Sequence, residues 1–456
     1  MTSFQNTSKA VTVPSGRISR LARLGSMATG VAGNMALSGL RQVARGERPG
    51  FQDLLLTPGN VHRIANELAR MRGAAMKIGQ LLSMDTGDVL PPELSAIMAR
   101  LRANADYMPP RQLKTVLTQA WGDGWLRKFK SFDVHPIAAA SIGQVHRAMA
   151  HDGRDMAIKV QYPGVARSID SDVANVGSLI KMTGLVPKGF DLAPYLTEAR
   201  RQLHEETDYV REGQCLLEFR RLLAGSDAFE LPELYEDHTT QNILAMSYVP
   251  SVPIEDAVSL DQARRNEITA HMIDLLLREL FDFGLMQTDP NYANYRFDPE
   301  TGKIVLLDFG ATRAFSDEVA EQYRRLMRAG IDGDRPGLHA AAQDIGFFAE
   351  ATARRHQDAI VDMIALIFEE VLAEDEFDFA SPSLNQKMNK AGIALSEDGF
   401  IPPLVPMDVL YLQRKFGGTF LLAGQLGARL PMRSVLEHWI QDRAGCAART
   451  TEKSRC

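Results

Sequence analysis

Cysteine is scarce in this chain. Cys215, Cys446 and Cys456 are the whole set, and no two have metal-site spacing. An odd, sparse count suits a reducing compartment better than a secreted disulfide scaffold. Long hydrophobic runs are missing too. The apolar stretch LGSMATGVAGNMALSGL, residues 24–40, is rich in small residues. It falls short of the roughly 20 strongly apolar residues that a spanning helix needs. Acid is absent from residues 1–46, which carry Lys9, Arg17, Arg20, Arg23, Arg41 and Arg45. That bias fits a transit peptide. It equally fits a segment lying on an anionic membrane surface, or a small-residue helix packed on its own domain. No apolar signal core with a cleavage site follows, which argues against secretion. A global excess of positive charge is also lacking. The net charge of −6 gives no reason to expect a nucleic-acid partner.

What is present reads as helices, then a small β-rich region with one helix, then a mostly helical region. Residues 1–16 read as a disordered tail. Residues 60–130 read as helices, with segments over 60–84, 91–106 and 109–122; the last two begin with Pro-Pro, which suits a helix start. AAASIGQVHRAMA (138–150) and DMAIKVQYP (155–163) read as strands joined by the turn HDGR. Residues 192–224 read as one charged helix. FELPELYED and QNILAMSYV read as strands, 262–286 as a long helix, and YRFD with KIVLLDFG as a strand pair. The region from about 315 to 440 is mostly helical, and 446–456 is a tail.

Four residues carry the chemistry. MAIKVQYP sets Lys159 one step past an alternating strand, and VLLDFG sets Asp308 just past a strand of five residues. QTDPNYANY sets Asp289 and Asn294 five residues apart in a Pro- and Asn-rich loop. A kinase catalytic loop uses that Asp-to-Asn spacing, with a metal-binding Asp-Phe-Gly following it. Mg²⁺ prefers hard oxygen ligands, which Asn294 and Asp308 offer. Lys159 can neutralise the phosphates of ATP as a point charge. Asp289 can accept a hydroxyl or water proton. The helical stretch HEETDYVREGQ offers Glu206 and Asp208, and a kinase lysine needs a helix glutamate.

Three further absences narrow the class. The glycine-rich phosphate loop is replaced by Ala138, Ala139, Ala140 and Ser141. Alanine restricts the backbone angles that glycine permits, so this loop should be stiffer. No Ala-Pro-Glu follows the Asp-Phe-Gly; ATRAFSDEVAEQYRRL runs almost at once into a helix. Gln287-Thr288, rather than His-Arg, precede Asp289. A conventional protein kinase is therefore not expected.

The set Lys-x-Gly-Gln at 77–80, AAASIGQVHRA, AIKVQYPGV, ETDYVRE, MQTDPNYANY and LLDFGATR resembles the UbiB family of atypical kinase-like proteins. It is most similar to the mitochondrial coenzyme Q branch and its bacterial relatives, over about residues 14–440. The resemblance implies an α+β, bilobal protein-kinase-like fold. Its parts would be a family-specific helical extension (17–130), an N-lobe with an insertion (131–250) and a C-lobe (251–445). It implies Mg²⁺-dependent ATP binding, ATPase activity and a role in ubiquinone biosynthesis. The resemblance pairs Lys159 with Glu206, makes Asp289 the catalytic-loop acid and gives the metal to Asn294 and Asp308. Nucleotide contacts fall to Ala138, Ala139, Ala140, Ser141, Lys159 and Val249. Lys77, Gly79 and Gln80 would lie over the cleft, with Lys77 meeting the acids around Glu206 and Asp208. Partners would be ATP or ADP and a membrane surface with ubiquinone-pathway lipids or enzymes. The place implied is the cytoplasmic face of a bacterial membrane, or the matrix side in a mitochondrion. A small-molecule phosphotransferase and a nucleotide-switched scaffold are the alternatives; the acceptor and the oligomeric state are not legible in the sequence.

The basic N-terminal segment makes a direct expectation. The protein should bind anionic liposomes, less so at high salt as the Debye length shortens. Co-sedimentation of a variant lacking residues 1–45 should show reduced binding, and undiminished binding would discard the membrane role of this segment.

Overall fold

The computed structural model describes residues 68, 71–86, 107–183, 191–400, 403 and 405–440. The expected tails 1–16 and 446–456, the basic segment before residue 46 and the expected helix over 91–106 lie outside the described residues. The chain divides into two units. One ends at Gly213 and takes in Pro232–Tyr248; the other comprises Gln214–Leu231 and the chain from Val249.

In the first unit, α1 (Arg72–Thr86) is followed by α2 (Pro110–Trp121). Pro109 and Pro110 start α2, and Gly122, at φ 83°, ends it. The strands β1 (Phe129–Phe132), β2 (Ala138–Ala139), β3 (Gly143–Ala150) and β4 (Asp155–Gln161) come next. The β3–β4 hairpin turns at the expected place, with Gly153 at φ 92°. After it come α3 (Val165–Thr183), α4 (Ala193–Glu206) and α5 (Tyr209–Leu222). The helix expected over 192–224 is thus two helices. Asp208 is the reason: its carboxylate accepts the Arg211 N–H at 3.0 Å and starts a new helix. β5 (Phe229–Glu230) belongs to the second unit; Pro232 interrupts the strand expected over 229–237, whose later part is reduced to an antiparallel bridge from Leu234 to Met246. β6 (Ile243–Ser247) then completes an antiparallel sheet in the order β1-β3-β4-β6, with β2 also on β3.

The pleat of β4 decides what faces where. Met156, Ile158 and Val160 enter a core with Leu113, Leu117, Trp125, Phe129 and Ile243. Each such side chain contributes about 1.5–3 kcal/mol when fully buried. A one-residue slip would turn all three away from this core, onto the buried face that carries Lys159 and Gln161, so the register is fixed. Ala157, Lys159 and Gln161 must then point to the opposite face.

β3 carries two polar residues on the same side as Ala148, and both are fully buried. They form a closed chain. The Met108 N–H donates to Gln144 Oε1 at 2.7 Å, Gln144 Nε2 donates to His146 Nε2 at 2.8 Å, and His146 Nδ1 donates to the Asp133 carbonyl at 2.8 Å. These partners fit the neutral imidazole protonated on Nδ1.

In the second unit, β7 (Val252–Pro253) precedes α6 (Gln262–Arg278), which Asp261 caps through the Arg264 N–H at 2.9 Å. The helix expected to reach 286 stops at Arg278. A wide π-type turn over Glu279–Phe283 and Gly284, at φ 58°, redirect the chain into β8 (Leu285–Gln287). β9 (Tyr295–Phe297) and β10 (Ile304–Leu306) form the expected hairpin, and β11 (Thr312–Ala314) pairs with β8. β10 has three residues, not five. The helices α7 (Asp317–Asp332), α8 (Arg335–Ile345) and α9 (Arg354–Leu372) follow. Next come β12 (Phe377–Asp378), α10 (Ser383–Glu397), α11 (Met407–Leu426), β13 (Arg429–Leu430) and α12 (Met432–Ile440). Their core joins Ile273 and Leu277 of α6 to Met327, Val371, Ala423 and Trp439. Ser316 caps α7 through the Val319 N–H, so α7 begins two residues past β11. That leaves no length for an activation segment.

Burial pushes the His146 pKa down from 6.5 to about 4, against the hydrogen bond to the Asp133 carbonyl. Between those values the unfolded chain binds a proton that the folded chain refuses, so stability falls as pH drops from 6.5 toward 4. The expected loss is about 3 kcal/mol. Urea titrations of the parent and of His146→Gln should show a flatter pH dependence for the variant over this window. Parallel curves would mean that His146 is not buried neutral.

Candidate functional site

The first unit supplies a lysine and its acid. Lys159 is 7% exposed, and its Nζ lies 2.7 Å from Glu212 Oε1 in the first turns of α5. The ammonium also sits 5.2 Å from the centre of the Tyr209 ring. Next to it on the same face of β4, Gln161 donates from Nε2 to the Thr207 carbonyl at 2.5 Å. The expected partner of Lys159 was Glu206, and the structure corrects this. Glu206 ends α4 and pairs with Lys77 of α1, a contact the sequence reading did anticipate. The break at Thr207–Asp208 separates the two glutamates into different helices, so each takes its own lysine. Asp208 serves as the α5 cap.

The alanine loop adjoins Glu206. Ala138 and Ala139 form β2 and are exposed. The Ala140 N–H donates to the Gly143 carbonyl at 2.8 Å, and the Ser141 hydroxyl donates to Glu206 Oε2 at 3.4 Å. No described non-glycine residue has positive φ, so the alanines hold ordinary backbone angles. Gly143 is where glycine is needed: a Cβ there would lie 2.5 Å from the Val160 carbonyl oxygen. In α1, Lys77 and Gly79 are buried and Gln80 half-buried, so Lys77 is not a surface lysine.

The second unit supplies the acids. Thr288 donates from its N–H and its hydroxyl to the Ala311 carbonyl at 3.1 and 2.8 Å, tying the Asp289 loop to the segment after Asp308. Asn294 Nδ2 donates to the Asp289 carbonyl at 3.2 Å and lies 3.4 Å from Asp289 Oδ2. The Asn294 carbonyl accepts the N–H of Leu307, the residue before Asp308, at 3.1 Å. Asp289, Asn294 and Asp308 therefore lie in adjoining loops. The Gly310 N–H donates to Asp308 Oδ1 at 2.9 Å, and Phe309 packs on Phe219 at 5.1 Å between ring centres. Val249 is half-buried just past β6, its carbonyl accepting from the Ser251 hydroxyl.

A divalent ion fits these donors. With its NH₂ turned to Asp289, the Asn294 amide aims its carbonyl oxygen the other way. One carboxylate and one amide oxygen form the sparse, hard set that Mg²⁺ accepts when phosphate oxygens supply the rest. No cluster of three or more His, Cys, Asp or Glu suited to a metal occurs among the described residues.

The sequence reading missed several residues here. Glu212 was discoverable from Asp208, since an Asp before a helical run signals an N-cap. Arg414 and Lys415 of α11 were not. Arg414 Nη2 contacts Asp289 Oδ1 at 3.0 Å, more than 120 residues away in the chain. Lys415 donates to the Gln287 carbonyl at 2.7 Å and to the Tyr295 hydroxyl at 2.6 Å, and it pairs with Glu279 Oε2 at 3.1 Å. Burial works against its charge, but Glu279 and Tyr295 outweigh burial and push its pKa up to about 12.

Comparison with known proteins identifies the family and the fold. The model of the ABC1 atypical kinase-like domain matches residues 100–342. The chain is 39% identical over 427 residues to atypical kinase COQ8, mitochondrial, of Saccharomyces cerevisiae, covering 93% of this chain and 85% of the relative. It is 37% identical to atypical kinase COQ8B, mitochondrial, of Rattus norvegicus, covering 93% and 80%. Among solved structures, that of Rv3197 with erythromycin, from Mycobacterium tuberculosis, aligns with a TM-score of 0.60 at 22% identity. That alignment covers 83% of this chain and 96% of the other, and it shows the fold alone. The fold is α+β and kinase-like, and the chain belongs to the ABC1, or UbiB, family of atypical kinase-like proteins.

Proposed function

We propose that this protein is an atypical kinase-like ATPase that binds Mg-ATP and supports ubiquinone biosynthesis at a membrane surface. The observation that carries the reading is the Asn294 hydrogen-bond pattern. Its amide engages Asp289 while its backbone carbonyl receives Leu307 N–H, which groups a base and two metal-ligand candidates. The similarity to relatives named COQ8 supports the pathway. No described helix is long and apolar enough to cross a membrane.

In this reading, Lys159 neutralises phosphate charge and Glu212 keeps its ammonium oriented. Bound Mg²⁺ would neutralise the phosphate oxygens from Asn294 and Asp308. Asp289 orients water or an acceptor hydroxyl and takes its proton. Arg414 occupies one lone pair of Oδ1, and each carboxylate oxygen has two. The β2–β3 turn (Ala138, Ala139, Ala140, Ser141) and Val249 are the candidate nucleotide contacts, the Ala140 N–H being already given to the Gly143 carbonyl. Lys77, with Gly79 and Gln80 on the same helix, braces that turn through Glu206 and Ser141.

Mg-ADP at a hundred times its dissociation constant should stabilise the protein by about 2.7 kcal/mol. Asp308→Asn should lose most of the Mg²⁺-dependent melting shift and of the phosphate release from Mg-ATP. A full shift in that variant would move the metal elsewhere. Release of free phosphate alone supports the ATPase, whereas a phosphorylated small molecule would make the protein a phosphotransferase. In the host, ubiquinone should fall on gene loss and recover only with Asp308 intact.

The partner assignment has its own check. A double-mutant cycle of Lys159→Met with Glu212→Gln, read by urea midpoints, should show a coupling of about 1–3 kcal/mol. The cycle of Lys159→Met with Glu206→Gln should show almost none. The reverse order would restore Glu206 as the partner.

A further inference from the structure

Resting on the phosphoryl-transfer reading above, we propose that Arg414 and Lys415, consecutive residues of α11, are positioning residues for the Asp289–Asn294 segment. Lys415 is 2% exposed. Its ammonium grips both ends of that segment: the Gln287 carbonyl, two residues before Asp289, and the Tyr295 hydroxyl, one residue after Asn294. Glu279 closes the clamp. Its Oε2 pairs with Lys415, and its Oε1 accepts the Gln287 N–H at 3.1 Å. Arg414 then holds the Asp289 carboxylate itself. One turn on, α11 packs closely on the Pro290 ring of the loop, since a Cβ on Gly418 would lie 2.4 Å from Pro290 Cβ. About two turns back, Asp408 takes Arg313 Nε at 2.5 Å, and that guanidinium sits 5.0 Å from the centre of the Tyr411 ring. β11, just after Asp308, is therefore held by the same helix.

Directed bonds are what these charges contribute. A buried ion pair is seldom more stable than well-packed apolar residues of similar volume. Rigid helices place functional groups better than loops do. Gln287-Thr288 bring no charge to the loop from their own positions, so α11 supplies the cations from outside it.

Two measurements test this. Hydrogen exchange on Lys415→Met should quicken about tenfold or more in peptides over 285–297, with α7 peptides unchanged. If that variant fails to fold, Glu279→Gln/Lys415→Met removes both buried charges and serves instead. Arg414→Gln should lower kcat for Mg-ATP hydrolysis about tenfold or more, with KM within about twofold and partial recovery in Arg414→Lys. Exchange that rises everywhere or nowhere, or parental kcat in Arg414→Gln, would overturn the assignment. Selective loosening of 285–297 in a parent protein that turns over no ATP would instead leave the clamp standing and reject the phosphoryl-transfer reading.

Discussion

A lysine ammonium taken out of water must find acceptors, because the desolvation penalty is several kcal/mol per ion. Among the described residues three lysines are buried: Lys77, Lys159 and Lys415. Each is closed by a glutamate, Glu206, Glu212 and Glu279 respectively. The pairs fasten α1 to the end of α4, β4 to the start of α5, and α11 to the turn before β8. In each case one member lies beside a segment that carries chemistry. Removing one partner leaves an uncompensated charge, a loss of about 3–5 kcal/mol. The arrangement of the site and the integrity of each unit therefore depend on the same few bonds.

The apolar pattern makes these pairs possible. β4 is buried on both faces, yet only one face is oily. Met156, Ile158 and Val160 commit the strand to the α2 side, and Lys159 has no choice of direction. The buried chain through Gln144 and His146 applies the same economy to β3: the two side chains bond each other, and their remaining ends meet Met108 and Asp133.

What the sequence made legible follows from the range of the interactions. Alternation along 143–161 and the HDGR turn are local, so the hairpin was readable. The spacing of Asp289, Asn294 and Asp308 is local as well, and the structure brings those residues into adjoining loops. The end of α6 was misread because Leu285 and Met286 continue a helical apolar pattern, while a wide turn and Gly284 had already ended the helix. Glu206 was misassigned because the Thr207–Asp208 break shifts the helical phase, although Asp208 before Tyr209 is a legible cap signal. Arg414 and Lys415 left no trace at all. An ion pair spanning over a hundred residues has no period, and a lysine in an apolar helix reads as a surface residue.

The wide turn over Glu279–Phe283 has a bearing on how this sequence can change over time. Glu279 and Gln287 meet only because eight residues, one of them spent on the broadened coil, span the distance between them. A single-residue deletion there would invert the side-chain alternation of β8. Gln287 would swap faces with its neighbour, leaving Glu279 and Lys415 without their backbone partner. Most connecting segments tolerate length changes. This one should behave as a fixed-length spacer, so variation within 279–287 is expected as substitution and not as insertion or loss.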